Sequence, residues 1–237
     1  MSADSGAAES EFWLFGYGSL IWKPPPYFDR RIPGFVTGYV RRFWQVCISV
    51  NGHSQDHRGT PEAPGRVVTL IERSFWQTLD DPHPSGSEKV WGVAYRIEAE
   101  KVAEVREYLD IREINGYTIH YTPFHPSDGS SIIRTLVYIG TPGNDQFMGP
   151  QDPQRLAEHI HRSVGPSGLN KDYLLHLDVA LDSLSAESGD EHIKDLANRV
   201  RKLEQEANVD GSRATTEAVD HELKKVSSTD EQEETEK

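Results

Sequence analysis

The chain has 237 residues, 36% hydrophobic and 27% charged, a composition that suits a folded core in one large domain or two small ones. Its 25 basic and 38 acidic residues give a formal net charge of −13, which excludes the clustered Lys and Arg of a phosphate-backbone binder and adhesion to an anionic membrane surface. A single cysteine, Cys47, excludes an intrachain disulfide and a thiolate metal cluster.

Residues 1–11 read as a flexible leader, with neither the basic start nor the apolar run of a signal peptide. No stretch approaches the ~20 apolar residues of a spanning helix, so the expected compartment is cytoplasmic. Phe12–Phe15 is a short apolar run closed by Gly16-Tyr17-Gly18-Ser19, the pattern of a buried strand ending in a tight loop. Further strands are expected at Gly38–Val50, Gly65–Ile71, Lys89–Ile97, Thr118–Phe124 and Ile132–Ile139, separated by Gly, Pro and Asp clusters. Helical spacing of apolar residues predicts helices over Ala99–Asp110, Asp152–Val164 and Asn170–Leu184. Asp80–Glu88 and Thr141–Pro153 read as mobile loops. This order points to an α+β fold with a small curled or barrel-like sheet and flanking helices. After Ser185 the composition shifts. Residues 185–207 hold a possible amphipathic helix, with Ile193, Leu196, Val200 and Leu203 on one face. Residues 208–237 carry nine acidic and four basic residues and no aromatics, the signature of an acidic disordered tail.

Four segments carry residues suited to chemistry, each with a plain structural alternative. Phe15-Gly16-Tyr17-Gly18-Ser19-Leu20 is either an ordinary turn or a loop whose backbone N–H groups cradle a carboxylate or carbonyl. Glu113, in YLDIREINGY, is either part of a salt-bridged helix end or an acid/base projecting into a cleft. Arg58, in DHRGTPE, either pairs with Asp56 or Glu62 or holds an anionic substrate group. Tyr173 falls in the first turn of a helix that Ser167 or Asn170 can cap, facing either the core or a pocket. The ten histidines are scattered and no HExxH occurs, so no metal site is supported. Cys47 lies in an apolar strand, where an inert buried thiol is the expectation. Gly16-x-Gly18 lacks the third glycine of a dinucleotide fingerprint.

Taken in order, FGYGSLIW, RRFWQ, DHRGTPEAPGRVVTL, VWGVAYRI with YLDIREINGY, TPGNDQFMGP and GPSGLNKDYLLHL resemble the ChaC-type glutathione-specific γ-glutamylcyclotransferases. The resemblance covers about residues 12–184. Two departures are visible: Phe147-Met148-Gly149 stands where the family usually has Tyr-Leu-Gly, and the Asp80–Glu88 loop is longer than usual. The resemblance implies a γ-glutamylcyclotransferase-like α+β fold over 12–184 and the splitting of glutathione into 5-oxoproline and cysteinylglycine without a cofactor. It implies that Tyr17-Gly18-Ser19-Leu20, entered through Phe15 and Gly16, binds the γ-glutamyl group and that Glu113 is the catalytic carboxylate. Arg58 and Tyr173 are expected near the substrate. Two other readings stay open: a cyclotransferase for other γ-glutamyl amino acids or amines, and a non-catalytic γ-glutamyl binding module. The sequence leaves the oligomeric state unassigned.

Overall fold

The structure is a computed structural model that describes residues 11–47, 58–60, 62–83, 86–112 and 117–209. Seven strands of four residues or more organise it: β1 (Trp13–Gly16), β2 (Phe28–Thr37), β3 (Tyr39–Cys47), β4 (Gly65–Glu72), β5 (Lys89–Ile97), β6 (Tyr117–Pro126) and β7 (Ile133–Gly140). Five of them close into a barrel in the order β1-β5-β2-β6-β7, sealed by a parallel pairing of Leu14 with Leu136. β3 and β4 form a separate antiparallel pair running from Tyr39–Glu72 to Cys47–Gly65. The expected mixed fold with a small closed sheet is therefore what the chain adopts.

Strand β2 is the longest element that the sequence pattern does not predict. Pro33-Gly34 at its centre has the form of a turn signal. Here the dipeptide lies inside a strand that pairs with β5 along its length and with β6 at Gly34–Val36. Glycine is required by close approach: a Cβ at Gly34 would sit 2.3 Å from the His125 carbonyl oxygen and 2.5 Å from the Phe124 ring.

The helices flank the barrel. A single turn, α1 (Arg73–Trp76), follows β4, and α2 (Val102–Arg112) extends a short 3₁₀ turn at Ala99–Lys101, burying Val105 and Leu109. α3 (Pro153–Arg162) is capped by Asp152, whose Oδ1 accepts the Arg155 N–H at 2.9 Å, with Pro153 in the first turn where no N–H is needed. A tight ribbon, β8 (Val164–Gly165) with β9 (Gly168–Leu169), turns through Gly168 at φ +103° into α4 (Asn170–Asp182).

A last helix, α5, spans 191–209 and belongs to the same core. Ile193, Leu196, Ala197 and Val200 are wholly buried, while Asp178 of α4, itself buried, pairs with Arg201 at 2.6 Å and Lys194 at 2.9 Å. The folded core thus continues past residue 184. Two loops expected to be mobile are docked in part. Asp81 is buried and accepts from Arg42 Nε at 2.6 Å and Trp76 Nε1 at 2.7 Å. The segment around Phe147 runs along β3, with the Met148 N–H on the Trp44 carbonyl and the Val46 N–H on the Gln146 carbonyl, both at 2.8 Å. Phe147 packs on Trp44 and Phe75, against the small second cluster of Val40, Trp44, Ile71 and Trp76. No helix among the described residues is long and apolar enough to cross a membrane.

One polar chain ties α5 to β3. The Phe43 N–H donates to His192 Nε2 at 3.1 Å, so that nitrogen carries no proton and Nδ1 does. His192 Nδ1 then donates to His83 Nδ1 at 3.2 Å, and His83 Nε2 donates to Asp195 Oδ2 at 2.9 Å. Both tautomers are assigned from these partners. Burial first, then Arg42 and His83, hold the His192 pKa well below the ordinary histidine range. A histidine neutral when folded takes up a proton on unfolding once the pH falls below about 6.5. Stability is therefore complete above that pH and declines below it by about 1.4 kcal/mol per pH unit. His159, lowered mainly by burial, acts in the same direction. Urea unfolding at pH 7.5 and 5.5 should show this loss, and His192→Gln should remove most of it; equal slopes in the two proteins would refute the assignment.

Candidate functional site

β1 delivers the chain to its first tight turn. After Gly16 the backbone passes Tyr17-Gly18 and enters a 3₁₀ turn at Ser19–Ile21, closed by the Ile21 N–H on the Gly18 carbonyl at 3.0 Å. A Cβ at Gly16 would lie 2.5 Å from Leu20 Cβ, so the chain can fold back this sharply only with glycine there. Two phenols tie the loop to the barrel, one from each side: Tyr17 Oη of the loop donates to the Tyr138 carbonyl at 2.8 Å, and Tyr95 Oη of β5 donates to the Leu20 carbonyl at 2.7 Å. Phe15 lies behind the loop in the core, against Tyr17 and Phe124.

Gly18 is the meeting point. A Cβ on it would stand 2.9 Å from Tyr173 Oη and 3.0 Å from Val68 Cγ2, so the first turn of α4 and the middle of β4 both touch the loop at this residue. The Tyr173 ring is held edge-on by Trp22 at 5.4 Å and by Phe43 at 5.8 Å. The Arg58 guanidinium lies 5.9 Å from the same ring and donates from Nη1 to the Leu169 carbonyl at 3.1 Å. Arg58 is buried, and its backbone presses on β4: a Cβ at Gly65 would stand 2.3 Å from the Arg58 carbonyl oxygen. Tyr17, Gly18, Ser19, Leu20, Arg58 and Tyr173, spread over more than 150 positions of chain, are thus neighbours around one loop.

Two residues of this region escape sequence reasoning. Asn170 reads as a helix cap, yet Leu169 occupies the cap position and makes no side-chain bond. Asn170 is instead wholly buried and grips β4: Oδ1 accepts the Arg66 N–H at 2.8 Å and Nδ2 donates to the Arg66 carbonyl at 2.7 Å. An Asn at a helix start carries no signal that separates these roles. Arg41, in β3, is buried behind the loop, where its charge acts on Asp190, Tyr173 and Tyr17. It donates to the Trp91 carbonyl and lies 3.5 Å from Asp190 Oδ2. Burial pulls its pKa below the ordinary arginine value, and Asp190 opposes this. An arginine inside an apolar strand is detectable in the sequence, but its carboxylate partner 149 residues on is not.

Glu113 lies outside the described residues, as do Asp56 and His57. The chain is described again from Tyr117, whose hydroxyl donates to the Val68 carbonyl at 3.5 Å. The arrangement offers an anion a glycine-bounded turn with first-turn N–H groups, backed by buried phenols and two buried guanidinium groups. Among the described residues no group of three His, Cys, Asp or Glu is placed to hold a metal.

Comparison with known proteins identifies relatives of the whole arrangement. Residues 12–203 match the family described as ChaC-like protein. A glutathione-specific γ-glutamylcyclotransferase of Schizosaccharomyces pombe is 45% identical over 198 residues, covering 82% of this chain and 94% of that protein. The Saccharomyces cerevisiae protein of the same name is 39% identical, covering 73% and 86%, and Homo sapiens glutathione-specific γ-glutamylcyclotransferase 1 is 37% identical, covering 79% and 78%. A crystal structure of a yeast γ-glutamyl cyclotransferase specific to glutathione superposes with a TM-score of 0.70 at 36% identity, over 81% of this chain and 96% of that one.

Proposed function

The chain belongs to the ChaC-like family, and from that premise we propose that it degrades glutathione by cyclising the γ-glutamyl group to 5-oxoproline and releasing cysteinylglycine. The observation that carries this reading is the contact of Tyr173 with Gly18 of the Tyr17–Leu20 loop, with Arg58 beside the Tyr173 ring, in a chain whose relatives bear that activity in their names.

The substrate contains its own nucleophile. The α-amine of the γ-glutamyl residue loses a proton and attacks the γ-carbonyl carbon, closing a five-membered ring. The amide C–N bond to cysteine then breaks, and the departing amine takes up a proton. One carboxyl group serves both transfers, and Glu113 is our assignment for it. Tyr117 supports that placement: its hydroxyl meets Val68, the same residue that packs on Gly18. Because attack is intramolecular, much of the protein's task is to hold the ring-closing conformer, where proximity contributes several kcal/mol. In this reading the first-turn N–H groups of the Gly18–Leu20 loop hold the α-carboxylate or the developing oxyanion. Arg58 and Arg41 supply positive charge behind it, matching a tripeptide with two carboxylates.

The test is incubation of the full chain with glutathione, without added metal or cofactor, and quantification of both products. Equal amounts of 5-oxoproline and cysteinylglycine, with little product from γ-Glu-Ala, are expected. Product from γ-Glu-Ala alone would change the substrate, and no 5-oxoproline from either would leave a γ-glutamyl binding module. Gly18→Ala forces a methyl group against Tyr173 and Val68. It is expected to cost about 1–3 kcal/mol of stability and to lower kcat/KM about tenfold or more by displacing the loop. Unchanged kcat/KM would place the substrate elsewhere.

A further inference from the structure

A groove of about 760 Å³ lies at the other end of β1 from the Tyr17–Leu20 loop, between the strand's start, the first turns of α2, and β6 and β7. Phe12 and Trp13 mark this end and Gly16 the other, about 10 Å along the strand. Arginines dominate its polar lining: Arg96, Arg106 and Arg134 line it together with Glu11 and Asp29, and Arg30 stands 6.0 Å over the Trp13 ring. Three guanidinium groups line the groove against two carboxylates, with Arg30 a fourth beside it over Trp13, a locally positive patch on a chain of net charge −13.

The four are not equivalent. Arg96 is spoken for, with Asp29 at 2.8 Å and Glu11 at 2.7 Å, and both carboxylates are held below their ordinary pKa, chiefly by hydrogen bonds from Arg96 to Asp29 and from Trp13 to Glu11. Arg106 and Arg134 have no carboxylate partner among the described residues. Instead each lies over an aromatic face. Arg134 stacks 3.9 Å from the Tyr121 centroid, and Arg106 lies 4.5 Å from that of Phe12 while donating to Tyr121 Oη at 3.4 Å. Tyr121, 44% exposed, is thereby bracketed by two guanidinium groups, one on its face and one at its hydroxyl. A stacked guanidinium keeps its edge N–H donors available and has already lost much of the side-chain freedom that binding would otherwise remove. The fork suits an oxyanion, and the groove is sized for a small molecule.

We propose that this groove is a second ligand site, which takes a small organic oxyanion, a phosphate ester or a polycarboxylate, between Arg106 and Arg134. It stands independently of the reaction assigned to the loop site.

Isothermal titration of the full chain at low ionic strength, with AMP, citrate and inorganic phosphate as separate probes, tests it. One-to-one binding of AMP or citrate is expected, weakened about tenfold by Arg106→Ala and by Arg134→Ala, weakened further by salt, and unaffected by Arg58→Ala. AMP in preference to citrate assigns a phosphate ester, and the reverse a polycarboxylate. Thermal melting of the variants, with Arg134→Gln as an alternative, separates lost binding from lost fold. No binding of any probe would overturn the proposal. So would binding that Arg58→Ala abolishes and both groove variants leave intact, because the probe would then sit at the loop site.

Discussion

Glu113→Gln is expected to lower the turnover of glutathione by about a hundred- to ten-thousand-fold, the usual contribution of a positioned acid/base, while the protein melts as before. The substitution keeps the side chain's size and shape and removes the carboxylate's charge and its capacity to take up and return a proton. Glutathione should still bind with similar affinity, because the proposed binding groups, the Tyr17–Leu20 loop with Arg58 and Tyr173, lie on other segments. The useful comparison is kcat against KM: a lost base lowers kcat and leaves KM nearly unchanged, whereas a lost binding contact raises KM. Single-turnover kinetics at saturating glutathione makes the distinction. Near-normal kcat would remove Glu113 from the mechanism and move the search to other groups beside Gly18. A raised KM with normal kcat would make it a binding residue.

What the sequence makes legible here is local, and what it hides is contact. Gly16 and Gly18 announce a tight turn, and the structure supplies the reasons: Leu20 folds over one, and Tyr173 and Val68 press on the other. Tyr173 announces only a helix start, and Arg58 only a loop; that Tyr173 meets Gly18 and Arg58 lies beside its ring depends on how β4 and α4 pack. β2 is lost to reading along the chain because Pro33-Gly34 imitates a turn, while the need for that glycine comes from β6, some 90 residues away. Asn170 and His192 fail for a related reason. A polar side chain at a helix start has local uses that the sequence suggests first, whereas here each bonds backbone of a distant strand. The 3.6-residue period of Ile193, Leu196 and Val200 is plain in the sequence, but period alone does not say what an apolar face covers.

That face underlies the second large effect. Ending the chain at residue 189, which removes α5, is expected to abolish folding, whereas ending it at 209 should leave melting and kcat/KM close to those of the full chain. Ile193, Leu196 and Val200 are wholly buried, and at about 1.5–3 kcal/mol each their burial contributes about 5–9 kcal/mol, comparable to the whole stability of an ordinary domain. Polar groups left behind would add to the loss. Asp178, with a side chain only 4% exposed, would lose both Arg201 and Lys194, and a buried charge stripped of its partners costs about 3–5 kcal/mol. Arg41, behind the loop, would lose Asp190 if the cut were made before that residue, as it is here. Circular dichroism melting and the 5-oxoproline assay on the two truncations decide the matter. A shorter form that melts cooperatively and turns over glutathione like the full chain would show that α5 only covers a core complete without it. Loss of activity with melting retained would mean instead that Asp190 and Arg41 support the Gly18 loop directly.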